Sequence, residues 1–289
     1  MMLLKTVVIV IIGLIAIYLV ASFLIKKIFF NRRLFTNVAR KFYNYYYSIN
    51  HIDHLITNNY GYAPVDKEIE EYDIDLQYGM QLYKEVIKNH NGYVIKNNSS
   101  IVEISCGKGG GAGFITKNCL PAQFTGIDFS QKAIDFCSQQ YREIKNMNFI
   151  CADAHKIPLQ ENSTDVVLNI EASHLYKDQN QFFNEVSRIL RSGGKFLFAD
   201  FRRINGQSIN HLEKNISDYG FYIEEKKIVT DHIRAACMQA SERRGELVNQ
   251  VPWYLRKYFR QYAILNGTKK SQMLANGEIV YFIYHFVKK

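Results

Sequence analysis

The chain has 289 residues, 47% of them hydrophobic, with 36 basic and 27 acidic side chains and a formal net charge of +9. That length suits one large domain, or one domain with an elaborate cap. The charge suggests nucleic acid, but seven of the nine surplus positive charges belong to residues 1–50, which hold Lys5, Lys26, Lys27, Arg32, Arg33, Arg40 and Lys41 and no acid. What remains is close to neutral and lacks the one-signed footprint of a polyphosphate partner.

The basic end has its own explanation. Thr6–Ile25, TVVIVIIGLIAIYLVASFLI, is twenty residues without a charge, which at about 1.5 Å per residue matches a bilayer's hydrocarbon core. A cleaved signal peptide carries a shorter apolar run of about 7–15 residues, and a buried core helix rarely lacks every charge over that length. The run predicts a membrane anchor. Six of the seven basic residues follow it, which predicts the body of the chain on the cytoplasmic side. The five cysteines are odd in number and form no CxxC pair, which argues against a zinc site or disulfide framework and suits a reducing compartment. His51 and His54 in HIDH have no third ligand nearby, so no metal is expected.

After the anchor, KFYNYYYSINHIDHLITNNYGYAP is rich in aromatic and amide side chains and ends in a turn at Gly61 and Pro64. Asp75–His90 predicts a helix with Met80, Leu82, Tyr83, Val86 and Ile87 on its apolar face. From Ile101 short strands alternate with helices, the strands at Ile101–Ser105, Phe124–Asp128, Asn148–Cys151, Asp165–Asn169 and Lys195–Asp200. Ser130 is placed to N-cap a helix over Gln131–Glu143, and Asp178 with Gln181 resembles a capping box. Ser192-Gly193-Gly194 is expected to close that second helix with a left-handed cap. This alternation means a parallel sheet covered on both faces. Phe221–Val229 and Ile279–Val287 add two strands, and the long segment between them, helical over roughly His232–Leu265, reads as a cap. There Tyr254, Tyr258 and Tyr262 recur at every fourth position among Arg256, Lys257 and Arg260, a stripe that favours a core-facing side over a membrane face.

The chemistry concentrates at Ile101–Phe114, IVEISCGKGGGAGF. Glycine lets a backbone approach a ligand closely, and in an open α/β sheet the ligand lies beyond the carboxyl ends of the strands, where the strand order reverses. Gly107–Ala112 matches G-x-G-x-x-A, the dinucleotide fingerprint. Glu103, two residues before the turn, would repel a pyrophosphate and suits a ligand with a cationic group. Asp128 ends the next strand in GIDFS, either to bond both hydroxyls of a ribose or as an exposed strand-end acid. Asp153-Ala154 follows the third strand, where a carboxylate accepts from an adenine amino group or simply makes a turn. VVLNIEASHLY then brings Asn169 to Tyr176 to the same edge.

VEISCGKGGG, FTGIDFS, CADAHKIPLQENSTDVVLNIEASHLY and EVSRILRSGGKFLFADFR resemble, in order and spacing, the successive motifs of class I S-adenosylmethionine-dependent methyltransferases over roughly Ile101–Arg202. NNYGYAP, EISCGKGGG, NIEASHLY and the long tail are similar, over about residues 55–289, to phthiotriolone dimycocerosate methyltransferases. Related natural-product and sterol or quinone methyltransferases likewise act on lipids and polyketides. The anchor lies outside this likeness. The resemblance implies a doubly wound, Rossmann-like, seven-stranded and mostly parallel sheet with a helical cap inserted near the C-terminus, to which the uncharged run Thr6–Ile25 adds an N-terminal transmembrane helix. Residues 1–34 would be the anchor and basic juxtamembrane segment, and 35–289 the methyltransferase domain. Within it, 35–92 would be an aromatic and helical cover, 101–230 the cofactor-binding core, 231–278 the cap and 279–289 the last strand.

The cofactor so implied is S-adenosyl-L-methionine, held by Glu103, Ser105, Cys106, Gly107, Gly109, Asp128, Phe129, Asp153, Ala154, Asn169 and Ile170. Ser105 stands where most of the superfamily has its first glycine, as in the lipid-methyltransferase subgroup. The loop's N–H groups and the helix starting near Gly111 would take the methionine carboxylate, and Glu103 its amino group. Tyr60 and Tyr62 resemble the aromatic segment that covers the cofactor in sterol enzymes. His174 and Asp200 occupy positions that face the acceptor in similar sugar O-methyltransferases. His174 would be a general base, an imidazole being the side chain that ordinarily titrates near neutrality, or a histidine packed without catalytic duty. Asp200 would orient His174 or the acceptor hydroxyl, or be a strand-end turn residue. The function implied is O-methylation of a lipidic or polyketide-like small molecule at the membrane, with no nucleic acid as partner. Carbon methylation of a sterol- or quinone-like lipid and a non-catalytic interaction protein are the alternatives.

Overall fold

Strands buried on both faces, with successive side chains pointing to opposite sides, organise the molecule. The computed structural model describes residues 58–64, 77–204 and 208–289, together with Val20, Arg40, Lys41, Tyr43 and Asn44. The chain divides into two units, Met1–Tyr46 and Tyr47–Lys289, and the second carries the fold. Strands β1 (Ser100–Ile104), β2 (Gln123–Asp128), β3 (Met147–Cys151), β4 (Thr164–Ile170), β5 (Leu190–Arg203), β6 (Phe221–Ile228) and β7 (Ile279–Lys288) form one sheet in the order β3-β2-β1-β4-β5-β7-β6. The first five pair in parallel, and β7 runs antiparallel between β5 and β6. This is the Rossmann-like, mostly parallel seven-stranded sheet the sequence implies. The strand order reverses at β1 and β4, so the loop leaving β1 lies at the switch point.

Each strand feeds two cores. On one face Ile101, Leu168, Leu197 and Tyr281 meet Leu82 and Val86 of α1 (Gln77–Val86) and Ile115 of α2 (Gly110–Cys119). The other face carries Val102, Val167, Phe196, Phe198 and Phe286. They pack with Phe182, Phe183 and Val186 of α4 (Gln179–Ile189), which follows α3 (Gln131–Gln140) in the chain. The Phe196 ring lies 5.2 Å from that of Phe198 and 6.1 Å from that of Phe182, tilted and edge-on, the arrangements aromatic quadrupoles prefer. Helix α5 (Ser208–Asp218) adds Leu212 and Ile216 to this core.

Several expectations need correction. Helix α1 ends at Val86, not at His90, because Lys88–Asn89 pairs with Gly92–Tyr93 in a small hairpin. Its two-residue tip is His90-Asn91, followed by Gly92 at φ 110°, a backbone conformation that favours glycine. Helix α4 closes at Leu190 in extended conformation rather than in a left-handed cap. Ser192-Gly193-Gly194 instead lies inside β5, in the bulge between the Thr164–Leu190 and Val166–Lys195 pairs. Asp178 caps α4 as expected, accepting from the Gln181 N–H at 2.9 Å, and the Gln181 amide also donates to the His155 carbonyl. Ser130 caps α3 as expected.

The cap is four helices, α6 (Thr230–Gln239), α7 (Ser241–Asn249), α8 (Trp253–Tyr262) and α9 (Lys269–Ala275), the last beyond the predicted helical stretch. On α8, among the described side chains, Phe259 is buried, Tyr262 half-buried and Tyr258 55% exposed, so of the predicted stripe Tyr258 does not face the core; the Tyr254 side chain lies outside the described residues. The predicted span Thr6–Ile25, apart from Val20, and His51 and His54 lie outside the described residues. Among the described residues no helix is long and apolar enough to cross a membrane.

Gly111 opens α2 where there is no room for a side chain. A Cβ there would stand 2.0 Å from Cε1 of Tyr83. Gly111→Ala is expected to cost about 1–3 kcal/mol by overpacking, seen as a lower denaturation midpoint. Gly111→Ala with Tyr83→Leu should cost less than the two changes added; strict additivity would show that the ring is not the obstacle.

Candidate active site

Strand β1 ends at Ile104, and the chain turns through three left-handed residues, Ser105 (φ 63°), Gly107 (φ 54°) and Gly109 (φ 75°), before α2. Gly109 is required twice over, since a Cβ would also meet Tyr141 at 2.9 Å and the Cys137 sulfur at 3.0 Å. The Tyr141 hydroxyl donates to the Gly109 carbonyl at 2.7 Å and fixes the loop from behind. Ser105 tolerates its strained backbone with a compensating contact: its hydroxyl lies 2.5 Å from that of Tyr176. Tyr176 in turn accepts from Nδ2 of Asn169, which also donates to the Ile104 carbonyl. The ends of β1 and β4 are thereby tied together. Cys106 is buried, and its thiol is held well above its ordinary value by Cys137 beside it and by burial.

Asp128, at the end of β2, is 4% exposed. Its Oδ2 accepts from the Gly107 N–H at 3.0 Å and its Oδ1 from the Ser130 N–H at 2.9 Å. Burial pushes the carboxyl up to about 6, against those backbone bonds. Glu103 on β1 is more extreme. The Tyr83 hydroxyl donates to its Oε1 at 2.5 Å, Oε2 is buried with no hydrogen-bond partner, and burial pushes the group up to about 8. Beyond β3, Asp153 Oδ1 accepts from the His155 N–H and faces its Nδ1 at 2.5 Å. Ala154 and Ile170 are buried nearby in the chain and Phe129 is half-buried.

At the ends of β4 and β5 stands a second group. Asp200 is wholly buried. It accepts from the Ser173 hydroxyl at 2.6 Å, the His174 N–H at 3.0 Å and Arg202 at 2.9 Å, and its Oδ1 lies 2.7 Å from His174 Nδ1. Burial alone would raise this carboxyl, but the His174 and Arg202 charges and the Ser173 bond outweigh it and hold the group below the usual carboxylate range. The sequence thus brings His174 and Asp200 together as expected. The His174 ring rests 4.3 Å from that of Phe201.

Tyr60 and Tyr62 diverge. Tyr60 packs 5.4 Å from Phe201, its N–H donates to Glu171 at 2.9 Å, and its hydroxyl bonds to Lys270 of α9. Tyr62 stacks on His232 of α6 at 4.5 Å, with its hydroxyl pushed up to about 12 by burial. Sequence reading missed Glu171, which is left-handed at φ 51°, accepts from the Tyr281 hydroxyl at 2.8 Å and is pushed up to about 7 by burial. Its place directly after β4 was the available signal. Lys270, about two hundred residues from Tyr60, offered none.

The sequence matches the family described as "Methyltransferase domain" over residues 102–198. It is 31% identical over 240 residues to the phthiotriol/phenolphthiotriol dimycocerosates methyltransferase of Mycobacterium tuberculosis, covering 82% of this chain and 86% of that one. The chain belongs to the S-adenosylmethionine-dependent methyltransferases. It is also 28% identical over 240 residues to the fatty-acid O-methyltransferase of Mycolicibacterium smegmatis, covering 82% of this chain and 84% of that one. Among solved structures it shares the fold of geranyl diphosphate C-methyltransferase from Streptomyces coelicolor A3(2). The TM-score is 0.62 at 15% identity, over 86% of this chain and 98% of that one.

The methyl donor of the family is S-adenosyl-L-methionine, and the edge of β1 and β2 fits it. A cationic group is what the partnerless Glu103 oxygen lacks. Two hydroxyls suit Asp128, whose oxygens keep a lone pair each beyond the backbone bonds they accept.

Proposed function

We propose that this enzyme O-methylates a lipidic or polyketide-like small molecule at a membrane in which Thr6–Ile25 anchors it, with the catalytic body, residues 35–289, on the cytoplasmic side. The observation that carries the reaction type is the His174–Asp200 pair at the ends of β4 and β5, beside the donor edge. The bound donor supplies a methyl group on a sulfonium that leaves as a neutral thioether. Glu103 takes its ammonium, Asp128 its ribose hydroxyls and the loop N–H groups after Ser105 its carboxylate. Asp153, Ala154, Phe129 and Ile170 border the base, and Cys106, Gly107, Gly109 and Asn169 shape the loop. As the acceptor oxygen bonds to the methyl carbon, Nε2 of His174 takes its proton, because Asp200 occupies Nδ1 and settles the ring's orientation. Tyr60 and Phe201 wall the acceptor side and exclude water.

The lipid class is supported by the names of the relatives and by the uncharged Thr6–Ile25 run. An anchored site meets a bilayer-dissolved acceptor at high effective concentration, and the basic residues from Lys26 to Lys41 would contribute about 1 kcal/mol each at an anionic surface. Glu171 favours a second reading, methylation at carbon, where its carboxyl would take the proton or balance a developing cation.

Donor binding should report Glu103. In the free fold the group is protonated below about 8, and the bound ammonium favours its ionised form, so affinity is expected to rise as pH increases from 6 to 8. A proton should be released on binding, as calorimetry in buffers of different ionisation enthalpy would show. Glu103→Gln should flatten that slope; an unchanged slope would place the titration elsewhere. For the chemical step, His174→Ala should lower kcat by about 10²–10⁴ with donor affinity intact. If Glu171→Gln abolishes turnover while His174→Ala does not, and the label is found on carbon, the second reading holds. For the acceptor, labelled donor should methylate an extracted lipid pool and not the water-soluble pool, and faster with the full chain than with a truncated form starting at Phe35. Transfer confined to the soluble pool, equal in both forms, would refute the lipid and membrane assignments and leave the methyltransferase standing.

A further inference from the structure

Lys270 is a cation in an unusual position. It enters the acceptor wall from the cap, with Nζ 4.9 Å from the centre of the Tyr60 ring and 4.8 Å from that of Phe201. Its hydrogen-bond partner among the described residues is the neutral Tyr60 hydroxyl. The nearby acids are committed elsewhere. Glu171 accepts from the Tyr60 N–H and the Tyr281 hydroxyl, and Asp200 is surrounded by Ser173, His174, Phe201 and Arg202. Both act on Lys270 only through space, and burial still lowers its pKa.

A desolvated charge is normally paired. An ammonium carries three donors, and the Tyr60 oxygen uses one. Lys270 and His174 both touch the Phe201 ring, so no more than one ring separates the ammonium from the proposed base. Two cations near Tyr60 are occupied: Arg202 on Asp200 and Ser173, and Arg244 on the Tyr60 and Ala263 carbonyls. One available ammonium beside two acids suits a monoanion, not a phosphate dianion.

We propose that Lys270 and Tyr60 form an anion subsite on the acceptor wall, so that the acceptor is an acidic lipid carrying a carboxylate a few bonds from the oxygen that is methylated. This rests on the methyltransferase reading above and on the acceptor lying against His174. Lys270 is a positioning residue, since it holds a part of the acceptor that does not react. The subsite also gives the cap a role in specificity, because α9 contributes the charge while the sheet contributes the base.

The test compares 3-hydroxypalmitate with its ethyl ester, which keeps the hydroxyl and removes the charge, using the full chain and labelled donor. Wild type should show a kcat/KM about tenfold or more higher for the acid. Lys270→Met should erase that preference by raising KM for the acid, leaving kcat and the ester nearly unchanged, and Lys270→Arg should retain most of it. Donor affinity should be the same in all three. Equal rates on acid and ester in wild type, or transfer to the ester alone, would overturn the subsite and leave the proposed function intact. Equal slowing of both substrates by Lys270→Met would show a structural role, and weakened donor binding would assign the ammonium to the cofactor; either overturns it. Transfer to neither substrate by a wild type that binds donor would overturn both the subsite and the lipid-hydroxyl assignment.

Discussion

Desolvation of carboxyl groups at one edge of the sheet is the constraint on which the site depends. A strand buried on both faces gives a side chain at its carboxyl end little water, yet Glu103, Asp128 and Asp200 all sit there at 4% exposure or less. An unpaired carboxylate in such a place costs several kcal/mol, and each is compensated differently. Asp128 takes two backbone N–H groups, and Asp200 takes a guanidinium, a hydroxyl and an imidazole. Glu103 takes a single phenol and leaves an oxygen bare. The environments push the carboxyls apart, to about 8 and about 6 on the donor side and below the ordinary range beside His174. Separation of this kind is how one edge presents a permanently ionised orienting acid next to acids that await a ligand.

A short strap, residues 58–64, ties that edge to the cap. Its contacts are mostly polar and mostly long-range. The Tyr60 N–H goes to Glu171, the Tyr60 carbonyl to Arg244, and the Ala63 N–H to the His232 carbonyl at 3.2 Å. Gly61 takes φ 78° in the tight turn between them, where a Cβ would stand 2.5 Å from that of Tyr78. Each hydrogen bond is worth about 0.5–1.5 kcal/mol net, so the strap is held by the sum and not by any one. Because the partners come from the end of β4 and from α6 and α7, strap, sheet edge and cap hold one another in register.

The half of the edge around Glu103 and Asp128 was legible in the sequence and the half around Tyr60 and Lys270 was not, for a physical reason. The first half is made by local geometry. A strand end, a left-handed turn and a helix start must be adjacent in the chain, so Glu103, the glycines, Ser130 and Asp128 fall within reach of pattern reading. Where local signals competed, errors followed: the hairpin turning at His90-Asn91 ended α1 early, and Gly193-Gly194, read as a helix cap, was used for a β-bulge. Ser105 looked like a departure from a glycine until Tyr176 supplied its hydroxyl partner. His174 and Asp200 were brought together by the resemblance to sugar O-methyltransferases, but Arg202, which helps keep Asp200 ionised, was not foreseen.

The half around Tyr60 and Lys270 is built across the chain. Tyr60, Glu171, Lys270 and Tyr281 meet through contacts spanning more than a hundred residues, and no spacing announces such a meeting. Nor does the fold choose the acceptor, since one sheet supports many chemistries through the side chains placed at its edge. What does choose is the balance of charge around Phe201. There a cation from the cap and an imidazole backed by an ionised acid both touch one ring, and a carboxyl raised to about 7 accepts from the Tyr60 N–H beside it. Burial strengthens every one of these interactions, and the strap's bonds to Glu171 and Arg244 hold Tyr60 among them.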